Sequence, residues 1–325
     1  MTKTRTDDLE ATVRQIRRLV RAGCELVRVA VPDEASARVL PEIRQRVVVP
    51  LIADIHFNYR LALAAIAAGF DKVRINPGNI GARWRVEEII RVAADNGVAV
   101  RIGVNSGSLP KGLPTGSAGK RIASLLQAME MALEPFERLG FRSLVLSAKT
   151  TEVPELIAVY QELSRRYPYP LHLGVTEAGA RWEGAIRSAA GLSPLLCAGI
   201  GDTIRISLTD DPVWEVIAGY ELLAALGLRQ RGPMVYSCPG CGRTVVDINR
   251  LARETKRGLK GINAPLKVAV MGCVVNGPGE AKQADFGIAG GRNKGVIFAR
   301  EKVVKTVREE KLVPELIKII KTSLK

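Results

Sequence analysis

The sequence predicts an α/β fold, a TIM-type (β/α)8 barrel over residues 1–231 followed by a small α+β domain over residues 232–325. Through the first two-thirds of the chain, short β-branched runs alternate strictly with longer amphipathic stretches, the pattern of parallel βα units. After Gly232-Pro233 that alternation stops, and short strand runs follow one another between two helical stretches. At 325 residues the chain exceeds one small domain and suits a large barrel with an appendage.

Barrel strands are expected at Leu26–Val31, Leu51–Ala53, Lys72–Ile75, Ala99–Ile102, Leu144–Ser147, Leu171–Leu173 and Thr203–Ser207. Helices are expected at Asp7–Ala22, Glu34–Arg44, Tyr59–Ala68, Arg83–Asn96, Arg121–Leu139, Val153–Arg166, Arg181–Ala198 and Asp211–Leu226. Eight helices call for a closed eight-stranded barrel, yet the first helix begins almost at Met1 and leaves no room for a strand before it. A seven-stranded barrel would leave unpaired edges at Leu26–Val31 and Thr203–Ser207. In the second region the pattern gives strands at Met234–Ser237, Leu266–Met271, Asp285–Ala289 and Gly295–Ala299, with helices at Arg243–Leu259 and Val313–Leu324. The last helix gathers Leu312, Leu316, Ile319 and Ile320 on one face with lysines opposite, as expected of a helix docked on its own domain.

Composition narrows the function classes. With 47% hydrophobic and 25% charged residues, wholesale disorder is excluded. No apolar run reaches the ~18 residues of a membrane span, and the start, MTKTRTDDLE, lacks the apolar core of a signal peptide, so a cytoplasmic location is expected. The net charge of +15 suits an anionic ligand, an acidic protein partner or nucleic acid. Only 5% of residues are aromatic and no basic run is interleaved with them, which argues against single-strand nucleic-acid binding.

Four strands repeat one motif: Val27-Arg28-Val29, Val73-Arg74-Ile75, Val100-Arg101-Ile102 and Ile204-Arg205-Ile206. Strand neighbours point to opposite faces, so the branched residues face the helices and each arginine faces the barrel interior or its mouth. Lys149 adds a fifth cation. Asp54, Glu177 and Asp202 are the available interior carboxylates and are outnumbered, so an anion among the cations is expected. The loops after the strands are polar and glycine-rich: Asp54-Ile55-His56, Asn76-Pro77-Gly78-Asn79, Asn105-Ser106-Gly107-Ser108 and Thr176-Glu177-Ala178-Gly179. Ligands of such barrels gather at these strand ends.

Five cysteines are too few for a disulfide framework, and three of them, Cys238, Cys241 and Cys273, fall in the last third. Cys238-Pro239-Gly240-Cys241 follows one strand and Cys273 another, so neighbouring strands would bring three thiols to one edge. Zinc, a redox CxxC pair and an iron–sulfur cluster all remain open from spacing alone. A structural zinc wants a fourth nitrogen or sulfur ligand, which His56 and His172 in the barrel do not supply. A redox pair leaves the third cysteine idle, whereas an iron–sulfur cluster accepts a non-thiolate at one iron.

The segments LIADIHFNYRLAL, VRINPGNIG, RIGVNSGSL, LHLGVTEAG, GIGDTIRISL, CPGCGR and MGCVVNGPGEA together resemble the bacterial 4-hydroxy-3-methylbut-2-enyl diphosphate synthase family of the non-mevalonate isoprenoid pathway, from Thr2 to about Gly291. The resemblance implies reductive ring-opening and dehydration of 2-C-methyl-D-erythritol 2,4-cyclodiphosphate at a 4Fe-4S cluster. It implies that Cys238, Cys241 and Cys273 hold three irons and Glu280 the fourth, the carboxylate yielding to a substrate oxygen. Arg28, Arg74, Arg101, Lys149 and Arg205 match the family's basic strand ends, and Asp54, His56, Asn76, Asn105, Ser147, Thr176 and Glu177 its polar loops. Glu177 is the candidate for proton handling, with a salt bridge to an arginine as the alternative. Arg243 and Asn276 would cover substrate from the cluster side. A flavodoxin or ferredoxin would supply electrons, and two subunits would pair head to tail with the active site between them. No nucleic acid and no membrane is expected.

Family members carry a first strand ahead of the point where this sequence opens, which implies a start site placed downstream of the natural one. Arg187 stands where a lysine is common, and Gly179-Ala180 replaces a glycine pair. Two other functions compete: an electron carrier or iron–sulfur scaffold, which needs no arginine ring, and a zinc-stabilised nucleic-acid-binding protein. A radical S-adenosylmethionine enzyme would require a close three-cysteine motif that this sequence does not have.

Overall fold

Val27–Ala30 (β1), Leu51–Asp54 (β2), Lys72–Ile75 (β3), Ala99–Asn105 (β4) and Leu144–Lys149 (β5) form a parallel sheet in chain order. His172–Leu173 (β6) and Thr203–Ile204 (β7) form a parallel pair, and one bridge, Leu146 to Leu171, links β5 to the segment leading into β6. These ladders come from a computed structural model that describes residues 1–273, 283–300 and 302–324. Seven barrel strands are thus present among the described residues. The backbone N–H of Thr2 donates to the Arg28 carbonyl (2.9 Å), and Lys3 Nζ donates to the Leu208 (2.6 Å) and Asp210 carbonyls. Residues 2 and 3 therefore lie between β1 and the segment after β7.

Between the strands run Leu9–Ala22 (α1), Glu34–Arg38 (α2), Leu40–Arg46 (α3), Tyr59–Ala67 (α4), Pro77–Ile80 (α5), Arg83–Asp95 (α6), Ala118–Arg138 (α7), Val153–Arg166 (α8), Arg181–Cys197 (α9) and Val213–Ala225 (α10). Their starts follow local chemistry. Asp8, Asn58 and Ser117 cap α1, α4 and α7 by accepting backbone N–H groups in the first turn. The helix expected at 34–44 is two: Pro41 sits in the first turn of α3, where its missing N–H is harmless but a continuing helix cannot run through. Asn76-Pro77-Gly78-Asn79, read from the sequence as a polar loop, opens a short helix in which Asn76 Oδ1 accepts the Gly78 N–H. Val27, Val29, Val73, Ile75, Val100, Ile102, Leu144 and Leu146 are buried on the layer between strands and helices.

The chain divides into compact units Met1–Leu222 and Leu223–Lys325. The second holds Met234–Ser237 (β8), Lys267–Met271 (β9), Phe286–Ala289 (β10), Lys294–Ala299 (β11) and Lys302–Arg308 (β12) in the order β12-β11-β10-β9-β8. β8, β9 and β10 run parallel, and β11 and β12 are antiparallel additions. Ile248–Gly258 (α11) and Leu312–Ser323 (α12) bury Leu251, Leu312, Leu316 and Ile320 with Val268, Val270 and Ile288 of the sheet. α11 starts five residues later than the pattern suggested, at the Asp247 cap. β12 is an additional strand that the pattern did not suggest.

Candidate active site

Parallel pairing places Asp54 beside Arg74 and Arg74 beside Arg101, one row across β2, β3 and β4. Arg74 Nη1 lies 3.2 Å from Asp54 Oδ1, and Arg28 Nε lies 3.7 Å from Oδ2 of the same carboxylate. His56 Nε2 is 3.9 Å from Asp54 Oδ2, with its ring half exposed. Burial alone would raise the Asp54 pKa, but Arg28, Arg74 and His56 together hold it below the ordinary carboxylate value. Arg74 also donates to the Gly103 carbonyl at 3.2 Å. The missing side chain of Gly103 makes this seat: a Cβ there would stand 2.4 Å from Arg74 Nε. Gly103→Ala should therefore unseat Arg74 and weaken the binding of an inorganic anion at this row of cations roughly tenfold, about 1.4 kcal/mol. Calorimetric titration with inorganic pyrophosphate checks this, and unchanged affinity would rule the seat out.

Arg205 pairs at 3.5 Å with Glu215 of α10, an acid that the sequence reading passed over. Asp202, expected as an arginine partner, instead accepts the Leu171 backbone N–H. Glu177, the other expected partner, is exposed, with a left-handed φ of 51°. Asp54 and Glu215 are thus the acids that meet the five interior cations among the described residues. Arg101 is 3% exposed, and its Nε has no hydrogen-bond partner there. Lys149 is 8% exposed, with its Nζ against Gly174, where a Cβ would stand 3.1 Å from it. Burial, then Arg28, Arg101, Arg205 and Arg74, push the Lys149 pKa far down. Burial, then Arg28 and Arg74, do the same to Arg101. Burial, opposed by Asp54, brings Arg28 down to about 10. An interior so charged is stabilised by an anion.

Around these cations, Asn76 Nδ2 donates to Ser108 Oγ at 3.4 Å, and Asn105 stands in register with Lys149 at the end of β4. Ser147 is buried one alternation below Lys149. The Thr176 N–H donates to the Thr150 carbonyl at 3.3 Å, which fixes the start of the Glu177 loop.

In the second unit, β8 and β9 are parallel neighbours, so Cys238 and Cys273 follow strands that end side by side. The Gly272 N–H donates to Cys238 Sγ at 3.2 Å. Cys241 is exposed, and its thiol pKa is lowered, first by the Arg243 backbone N–H and then by the Arg243 side chain. Gly272 packs against Thr244, whose Oγ1 accepts the Cys241 N–H at 2.9 Å. Among the described residues no group of three His, Cys, Asp or Glu side chains is gathered as a metal site. The all-thiol donor set on two adjacent strand ends nonetheless fits a cluster held by cysteine.

The sequence profile of the GcpE TIM-barrel domain matches residues 1–220, and that of the GcpE protein C-terminal domain matches residues 234–322. The chain belongs to the GcpE family. Curated relatives named 4-hydroxy-3-methylbut-2-en-1-yl diphosphate synthase (flavodoxin) are similar along nearly the whole chain. The Thermodesulfovibrio yellowstonii protein is 50% identical over 99% of this chain and 92% of its own length. That of Caldanaerobacter subterraneus subsp. tengcongensis is 51% identical over 100% and 92%. That of Geobacillus kaustophilus is 48% identical over 98% and 86%.

In this GcpE chain the structure brings Asp54, Arg74 and Arg101 into one row, with Arg28 and His56 beside Asp54. Arg243, Cys238, Cys241 and Cys273 belong to the second unit, and Asn276 and Glu280 lie outside the described residues. Three residues escaped the sequence reading. Glu215 is a lone acid in the otherwise apolar start of α10, which was its only signal. His172 is 7% exposed, with Nδ1 2.9 Å from Thr203 Oγ1 and Nε2 buried without a partner among the described residues. Burial, then Arg101 and Lys149, push its pKa far down, so the imidazole is neutral. Tyr160 of α8 is the third.

Proposed function

We propose that this chain carries out the two-electron reduction of 2-C-methyl-D-erythritol 2,4-cyclodiphosphate to 4-hydroxy-3-methylbut-2-enyl diphosphate, its barrel cations holding the diphosphate. The supporting observation is the buried cluster of cationic side chains at Arg101 and Lys149, whose charged forms an anionic ligand would stabilise. The reaction takes up two electrons and two protons, breaks the ring C–O bond to phosphate and releases one water. When bound, a 4Fe-4S cluster supplies the electrons singly together with a Lewis-acidic iron, and Cys238, Cys241, Cys273 and Glu280 are the residues that would hold it.

The chain's own contribution is binding and proton placement. Arg28, Arg74, Arg101, Lys149 and Arg205 bind the diphosphate oxygens, with Asp54 orienting the first two and Glu215 the last. Asn76, Asn105, Ser147, Thr176 and His56 supply neutral hydrogen bonds at the strand ends. Glu177 is the acid that delivers a proton to the departing oxygen; its exposure and its left-handed backbone favour a group held out toward ligand. Arg243 and Asn276 cover the substrate from the cysteine side. A flavodoxin, or a ferredoxin, delivers the electrons, its acidic surface drawn to this basic chain.

Two copies work head to tail, each cysteine-bearing unit serving the other's barrel. Anaerobic, iron-reconstituted protein should reduce the cyclodiphosphate. Mixing Cys238→Ala with Lys149→Met at a substrate concentration too low to fill the Lys149→Met site should restore part of the activity, because one of the two sites in a mixed dimer is then intact. Absence of turnover in the wild type defeats the enzymatic reading and leaves an electron carrier. Turnover without restoration on mixing defeats the shared site alone.

A further inference from the structure

The wall between β5 and β6 has a gap in its backbone ladder, and a helix side chain fills it. Below the gap, the Leu146 N–H donates to the Pro170 carbonyl at 2.9 Å. Above it, the Thr176 N–H donates to the Thr150 carbonyl at 3.3 Å. Both bonds belong to the register set by the Leu146–Leu171 bridge. In a parallel ladder of that register, the next bond donated by β5 above Leu146 would run from the Ala148 N–H to the His172 carbonyl. Instead the Ala148 N–H donates to the Tyr160 hydroxyl at 3.2 Å, and that hydroxyl donates to the His172 carbonyl at 2.5 Å. One phenol oxygen thus replaces one rung and holds the two strands apart without shifting their register. Tyr160 is fully buried. Burial carries its pKa to about 12, against the Ser147 hydroxyl and the Ala148 N–H, so it stays a neutral donor.

What the spread accommodates is the anion site. Ala148 lies between Ser147 and Lys149, and His172 lies two residues before Gly174, over which the Lys149 amine passes. We propose that Tyr160 is a positioning residue for diphosphate binding: its hydroxyl, set into the β5–β6 wall, fixes the strand separation that seats Lys149 over Gly174 and turns Ser147 toward the same ligand. The inference deepens the proposed function and rests on its anion site. Without the hydroxyl the strands either close onto a direct Ala148–His172 bond or leave both groups unpaired, and Lys149 moves in either case.

The test is Tyr160→Phe in the full chain, compared with Leu163→Val, a buried apolar change on the same helix. Calorimetric titration with inorganic pyrophosphate reads the site whether or not the protein turns over cyclodiphosphate. Tyr160→Phe is expected to weaken pyrophosphate binding about tenfold. In the active enzyme it should raise KM by a similar factor with kcat changed by less than about threefold. Leu163→Val should lose comparable thermal stability and bind pyrophosphate as the wild type does. On a Lys149→Met background, Tyr160→Phe should add nothing further. Equal affinities for Tyr160→Phe and wild type, an equal loss in Leu163→Val, or failure of Tyr160→Phe to fold would each overturn the positioning role.

Discussion

Cys238→Ala is expected to strip iron from the reconstituted protein and to lower cyclodiphosphate turnover by roughly a thousandfold or more, beyond the 10–100-fold typical of a residue that only hydrogen-bonds to a ligand. The expectation follows from where the thiol sits. Cys238 closes β8, its backbone N–H bonded to the Val270 carbonyl of β9, and its sulfur accepts the Gly272 N–H one residue before Cys273. The sulfur is thus fixed by backbone rather than by a flexible side-chain environment. Its removal takes away one of the thiols of the second unit. The fold should survive: the site is half-buried, and the small domain's core is built from Leu251, Val268, Ile288 and Leu316. Cys197→Ala is the control; this exposed thiol on the barrel's α9 should leave iron content unchanged. Iron, visible absorbance near ~400 nm and turnover are measured on the same samples. Full iron and turnover in Cys238→Ala would remove this cysteine from the cluster, and stoichiometric zinc in the wild type would replace the cluster with a structural metal.

The parts of this molecule legible in the sequence are those written in local periodicity. Val-Arg-Val and its relatives announce both the strand and the inward arginine, because alternation needs only three residues to be read. The same logic gave the two cysteine-bearing strand ends. Elements failed where local pattern and tertiary context diverge. β12 reads Lys302-Val303-Val304-Lys305-Thr306-Val307-Arg308, β-branched but studded with charge, which fits an exposed edge strand and hides it from a search for buried runs. Glu215 and Tyr160 were missed for a different reason. Each lies on a helix and acts on a strand, Glu215 reaching Arg205 and Tyr160 reaching His172. A side chain that crosses from one layer to the next has no signature in either layer's period. The balance of charge inside the barrel was therefore foreseen in sign and in Asp54, the partner of Arg28 and Arg74, but not in Glu215.

That balance makes Lys149→Met a substitution with opposite effects on binding and on stability. Lys149 is buried among Arg28, Arg101, Arg205 and Arg74 with no carboxylate beside it among the described residues, and burial first, then those cations, depress its pKa. A base whose pKa is lower folded than unfolded binds its proton more tightly in the unfolded chain. Stability therefore rises with pH between the folded value and the unfolded one near ~10.4, and the penalty is fully present below that window. Methionine has nearly the same length and no charge. At neutral pH Lys149→Met should raise the Tm of the ligand-free protein by several degrees, an advantage that shrinks as pH approaches about 10. The same change should weaken pyrophosphate binding by roughly a hundredfold, about 2.7 kcal/mol, since a buried charge pair with phosphate is lost. Wild-type binding should also take up protons in the pH window between the lowered Lys149 pKa of the free protein and the higher one beside a bound anion, and the variant's should do so less. Isothermal titration in buffers of different ionisation enthalpy measures that uptake, and differential scanning calorimetry measures the Tm. A variant that is less stable than the wild type and binds pyrophosphate equally well would show that Lys149 is a packed structural residue with no part in holding the ligand. The trade follows from putting five cations where, among the described residues, two acids meet them: their mutual repulsion costs stability, and a bound diphosphate would offset it.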